Sequence, residues 1–98
     1  MKKNLIGKYC MVRTFSALFA GILEELDGKE CYLTNARRIF YWDGAASLSQ
    51  LAMEGTKKPN NCKFSIPIDV FLTEVIEIIP ITEIAKKSIE SVKVWKII

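Results

Sequence analysis

Leu18-Phe19-Ala20-Gly21-Ile22-Leu23-Glu24-Glu25-Leu26-Asp27-Gly28-Lys29-Glu30-Cys31-Tyr32-Leu33-Thr34 decides the fold. Two apolar runs flank Asp27-Gly28, and Gly accepts positive φ at no steric cost, so the pair marks a two-residue hairpin. Residues 17–26 and 30–34 are then antiparallel strands, with Gly21 as a bend or a close backbone approach. Outward on one side, residues 8–14 read as a preceding strand. On the other, residues 36–42 form a further strand or the bent extension of the returning one, with Asn35 as the kink. Strand geometry puts Arg38, Phe40 and Trp42 on one face and Arg37, Ile39 and Tyr41 on the other.

Past Asp43-Gly44 the periodicity changes. Ser47, Gln50 and an apolar stripe of Leu48, Leu51 and Ala52 have the spacing of a capped helix over residues 47–54, with Gly55 at its end. Residues 56–63 are polar loop. Residues 64–68 read as a short edge strand, because Pro67 cannot donate to a central ladder. In residues 71–79, Phe71, Leu72, Val75, Ile76 and Ile79 fit a helical stripe, but the β-branched run ending at Pro80 favours one strand. Thr82 caps a second helix reaching Ser91, with Ile84, Ala85 and Ile89 inward. Residues 92–98 read as a last strand. The expected architecture is a single α+β domain over residues 1–98: a small, strongly bent antiparallel β-sheet or partly closed barrel with two short helices.

Composition limits the chemistry. The chain has 98 residues, half of them hydrophobic, with 14 Lys and Arg against 11 Asp and Glu, a net charge of +3 and no histidine. Ser-His-Asp and Cys-His catalysis and histidine-bearing zinc sites are therefore excluded. Cys10, Cys31 and Cys62 are odd in number and widely spaced, which fits reduced thiols and a cytoplasmic setting. No apolar run approaches the ~20 residues of a membrane-spanning helix. The acids are scattered and no metal-ligand spacing occurs, so no catalytic residue, metal ligand or cofactor is assigned. The chain is expected not to be an enzyme.

One segment has a binding inventory. Arg37 and Arg38, two of the three arginines, stand near Tyr41 and Trp42, followed by Gly44, Ala45, Ala46, Ser47, Ser49 and Gln50 at a helix start. Arginine forks match phosphate, aromatic faces stack on bases, and helix-start amides receive anions. Lys57, Lys58 and Lys63 form the densest positive cluster and, with Arg37 or Arg38 nearby, could add a basic rim. The strand alternation leaves at most one of the two arginines on the ligand side. A purely structural role for the aromatics and the small-residue turn is the competing reading.

Leu33-Thr34-Asn35-Ala36-Arg37-Arg38, Tyr41-Trp42, residues 44–52, Glu54-Gly55 and Ala85-Lys86-Lys87-Ser88-Ile89 together resemble a family of small uncharacterised phage and prophage proteins. That resemblance spans most of the chain after Met11. It implies a phage origin and a shared domain, and it brings no catalytic residue with it. Residues 19–28 and 33–36 are also similar, at the level of fold alone, to Sm-like and SH3-like barrels; the helix at Ser47 departs from the Sm pattern. The expected function is a non-enzymatic phage accessory protein, in the cytoplasm of the infected or lysogenic bacterial host. It would bind a small anionic, nucleotide-like ligand and so sequester a host-defence signalling nucleotide. The alternatives are a nucleic-acid-binding accessory protein and a protein-interaction or structural module. The apolar tail of Trp95, Ile97 and Ile98 points to a homo-oligomer.

Overall fold

The computed structural model describes residues 4–98. Three long strands come first: β1 (Tyr9–Thr14), β2 (Leu18–Asp27) and β3 (Glu30–Tyr41). They are antiparallel neighbours, and the two-residue turn of the β2–β3 hairpin is Gly28-Lys29, one residue after the expected Asp27-Gly28, with Asp27 pairing Glu30 and Gly28 at φ 60°. Helix α1 (Leu48–Glu54), a 3-10 turn (Pro59–Asn61), β4 (Lys63–Phe64), β5 (Ile68–Leu72), β6 (Val75–Pro80) and helix α2 (Glu83–Ser91) follow. The sheet runs β4-β3-β2-β1-β6, and β5 also pairs with β3. One edge of β3 thus serves two partners, β5 along its first half and β4 along its second.

The sheet has an apolar core on each face. Cys10, Val12, Phe19, Leu23, Cys31, Leu33 and Ala36 form one, packed by Val70 and Leu72 from β5 and by Val75 and Ile78 from β6. Strands β5 and β6 lie at opposite ends of the strand order yet share this core. The sheet therefore curls around it, although the six antiparallel strands do not close. The second core joins Met11, Ala20, Ile39 and Phe64 to Leu51 and Ala52 of α1 and Ile89 of α2. Fully burying each Leu, Ile or Phe stabilises the fold by about 1.5–3 kcal/mol.

A one-residue β-bulge in β3 allows that strand to feed both cores. Ile22 pairs with Thr34 and Ala20 with Arg37, so Asn35 and Ala36 together oppose Gly21. Asn35 has φ 50°, and its backbone N–H donates to Asp69 Oδ1 at 3.2 Å. A Cβ on Gly21 would lie 2.7 Å from the Ala36 Cβ, so the glycine is required by close approach. Cys31, Leu33 and Ala36 face the curled interior, and after the bulge Arg37 and Ile39 turn to the helix side.

Residues 36–41 are the bent extension of the returning strand, one of the two readings open for them, and Trp42 falls after its end. Four expectations are corrected. Residues 71–79 hold a turn at Thr73-Glu74, because β5 and β6 belong to opposite edges of the sheet. Residues 64–68 contribute only the end of β4 and the start of β5, with Pro67 between them. Residues 92–98 are not a strand, apart from one parallel bridge between Val94 and Phe64. In α2 the buried stripe is Ala85, Ile89 and then Val92, and Ile84, off this stripe, is 74% exposed.

The helix caps fall where the sequence puts them. Ser47 Oγ accepts from Gln50 N at 3.1 Å, and Thr82 Oγ1 accepts from Ala85 N at 3.1 Å. Thr82 Oγ1 also donates to Met53 O at 2.7 Å, so one hydroxyl starts α2 and terminates α1. Thr82→Ala is expected to lower stability by about 1–2 kcal/mol, against about 1 kcal/mol for Ser47→Ala, measured by urea unfolding. Equal losses would mean that the bond to Met53 contributes nothing.

Candidate functional site

The candidate binding residues separate into three environments. Arg37 is the only buried charged side chain among the described residues, at 5% exposure. Its Nε donates to Ser65 O at 2.9 Å, Nη1 to Val92 O at 2.6 Å and to Ile89 O at 3.1 Å, and Nη2 to Phe64 O at 3.4 Å. The guanidinium also lies over the Phe64 ring, 5.5 Å from its centroid. Burial pushes its pKa down, and Tyr9 pulls it back up. Arg37 thus clamps β3 to the chain after β4 and to the C-terminal carbonyls of α2. Its donors face protein carbonyls rather than solvent.

The second environment is the turn into α1. Trp42 is half-buried against the helix-side core, and its indole N–H donates to Ala45 O at 3.2 Å. Gln50 Oε1 accepts from Ala46 N at 2.6 Å, where the capping-box spacing had pointed to the Ser47 amide. The helix has seven residues; Ser47 Oγ meets the amide of Gln50 in its first turn, and Gln50 Oε1 meets that of Ala46, just before the cap. Ser49 and Ala46 are exposed, and Gly44 is wedged against the loop that holds Lys57 and Lys58. Gly44 O accepts from Lys57 N at 3.1 Å, and Lys58 N donates to Thr56 Oγ1 at 2.9 Å. Cys62 is buried beneath these loops, its Sγ 3.6 Å from both Asp43 O and Lys58 O.

Asp43 ties the two loops together. Its carboxylate accepts from Asn61 Nδ2 at 3.1 Å and from Gly44 N at 2.7 Å. The Asn61 bond, then the Gly44 amide, hold its pKa below the usual value, and Lys58 adds to the effect. A depressed carboxylate pKa gives a contribution present above the ordinary Asp pKa of about 3.9 and lost as pH falls through the depressed value. Asn61→Ala is expected to move the Asp43 titration upward, as read from its carboxyl carbon by NMR. An unchanged titration would place the cause elsewhere.

The third environment is the exposed end of β3. Arg38 is half-buried, with its guanidinium 4.8 Å over the Phe19 ring. Tyr41 is exposed and pairs across the ladder with Lys63. Lys57 and Lys58 are exposed on the loop leading to Lys63. Among the described residues the one ion pair is Arg13 to Glu77 at 3.0 Å, so Arg38, Lys57, Lys58 and Lys63 make none, although Lys58 lies close enough to Asp43 to lower its pKa. Phe40 and Trp95 are not among the ligand residues that the sequence points to. Phe40 and Trp95 meet only through the fold, so no spacing could have exposed them.

The larger grooves are elsewhere. One of about 620 Å³ is lined by Phe15, Lys29 and residues 73–76, and one of about 500 Å³ by the hairpin acids Glu24, Glu25, Asp27 and Glu30 with their neighbours. A shallower groove of about 320 Å³ has Trp42 in its wall, beside Leu48 and the β1–β2 turn. Among the described residues, no helix is long and apolar enough to cross a membrane.

These features define a small α+β domain with a curled, open antiparallel sheet and an exposed basic end. The chain belongs to the family described as Domain of unknown function (DUF6948), which matches residues 7–89. No match was found among curated proteins or among solved structures.

Proposed function

We propose that this chain is a non-enzymatic binding domain for an anionic ligand, which it meets on the open basic surface at the end of β3. The observation that carries this reading is the set of cations that make no ion pair, Arg38, Lys57, Lys58 and Lys63. The acids Glu24, Glu25, Asp27 and Glu30 gather at the opposite end of the same strand, around the hairpin. Such a separation steers an anion to one end of the molecule. The likeness of residues 33–55 and 85–89 to phage and prophage proteins makes it an accessory protein working inside an infected or lysogenic bacterium. The barrel likeness adds nothing to the choice of ligand.

Between a small signalling nucleotide and a polymeric anion, the geometry favours the polymer. A nucleotide site needs convergent donors in a concavity. Arg37 is held by four carbonyls, and at the turn into α1 the amides of Ala46 and Gln50 are held by Gln50 and Ser47. The remaining cations stand on an open face, which suits an extended ligand. Isothermal titration at low salt with heparin, oligonucleotides and a panel of cyclic and ADP-ribose-type nucleotides tests this. Heparin or an oligonucleotide is expected to bind, and Lys57→Glu with Lys58→Glu is expected to weaken binding. No heat and no thermal shift with any of these anions would remove the reading.

A further inference from the structure

Phe40 and Trp95 are 54% and 52% exposed, with ring centroids 5.3 Å apart and ring planes inclined by 60°. Backbone pairing fixes both. Phe40 is in β3, between Ile39 and Tyr41, which pair with β4, and Trp95 N donates to Phe64 O at 2.9 Å, next to the Val94–Phe64 bridge. Lys63 holds its ammonium 5.3 Å over the Trp95 ring. Arg38 lies two residues before Phe40 in β3, and the pairing with β4 shifts register at Phe40, between Ile39 and Tyr41.

We propose that Phe40 and Trp95 form a stacking platform for single-stranded nucleic acid, with Lys63 and Arg38 receiving the flanking phosphates. The proposal rests on the anion-binding reading above and specifies its ligand. Every base has a π-face, so two fixed, half-exposed rings accept any sequence. In a duplex those faces are covered by neighbouring base pairs, so the platform suits a single strand. A second copy of this chain is a poor occupant, because symmetric contact would set Lys63 and Arg38 against their own counterparts. Lys63 covers Trp95 through a cation–π contact, which leaves it beside any base stacked on the platform.

Fluorescence anisotropy of the full chain with labelled twelve-nucleotide oligothymidine and oligouridine tests the proposal, with a DNA duplex and heparin as comparison ligands. Both single strands are expected to bind more tightly than the duplex. Trp95→Ala is expected to weaken single-strand binding by about 5-fold or more, with Trp95→Phe retaining most of it and heparin binding unchanged. Lys63→Ala is expected to reduce the logarithmic salt slope by about 1. Thermal unfolding of each variant monitors folding, and Phe40→Ala is an independent second variant. Equal affinity for heparin and single strands, with no effect of Trp95→Ala, would overturn the platform and leave the anion-binding reading standing. No binding to any polyanion would overturn both. A stable dimer by light scattering that Trp95→Ala dissociates would overturn the platform as a nucleic-acid site.

Discussion

Arg37→Leu is expected to lower the unfolding free energy by about 3–5 kcal/mol, measured by urea denaturation with an unchanged m-value. The guanidinium reaches four carbonyls from two parts of the chain, Phe64-Ser65 and the end of α2. Two of them have other donors, since Phe64 O also accepts from Trp95 N and Ile89 O from Val92 N. Ser65 O and Val92 O depend on Arg37, and each buried carbonyl left without a donor costs about 1–3 kcal/mol. The lost packing on Phe64 adds to that. A domain of this size has about 5–15 kcal/mol in total, so the change removes a large share. Arg37→Lys is expected to fall between, because one ammonium cannot reach the same spread of acceptors. A loss below about 1 kcal/mol for the leucine variant would mean that water substitutes at those carbonyls.

Gly44→Ala is the second large effect, expected at about 2–4 kcal/mol. Gly44 has φ 84°, a conformation that costs an alanine about 1–2 kcal/mol. An added Cβ would also collide with Lys58 N and meet Lys57 N at 2.7 Å, both backbone atoms with little freedom to yield. The hairpin provides an internal control. Gly28 has φ 60° with open space around it, so Gly28→Ala carries the backbone penalty alone. Equal losses at the two positions would show that the loop at Lys57 and Lys58 moves away without cost. A larger loss at Gly44 accompanied by weaker heparin binding would connect the turn to the presentation of those lysines.

The parts of the fold written in local chemistry were legible in the sequence. Asp27-Gly28 placed the hairpin to within one residue, Ser47 and Thr82 placed the helix starts, and Asn35 marked the irregularity in β3. The turn at Thr73-Glu74 was hidden because neither Gly nor Pro interrupts the β-branched run around it. The tail after Val92 has strand-like composition, but its backbone meets β4 at a single bridge. The binding segment was legible as an inventory and not as an arrangement. An arginine reads as a surface residue, and only the fold brings carbonyls from residues 64, 65, 89 and 92 around Arg37. Phe40 and Trp95 are 55 positions apart in the chain, so no local pattern pairs them.

The bulge at Asn35 also decides how the gene for this chain can change length. The bulge takes up one extra residue while Ile22 stays opposite Thr34 and Ala20 opposite Arg37. Deleting Asn35 would restore strict alternation through β3 and leave Arg37 and Arg38 on the faces they now have. A deletion at Arg38 or Ile39 has no extra residue in front of it to absorb the change and would turn the following side chains over. Single-codon changes of length are thus confined to the bulge and to the open tip at Gly28, which can absorb inserted residues without moving either arginine.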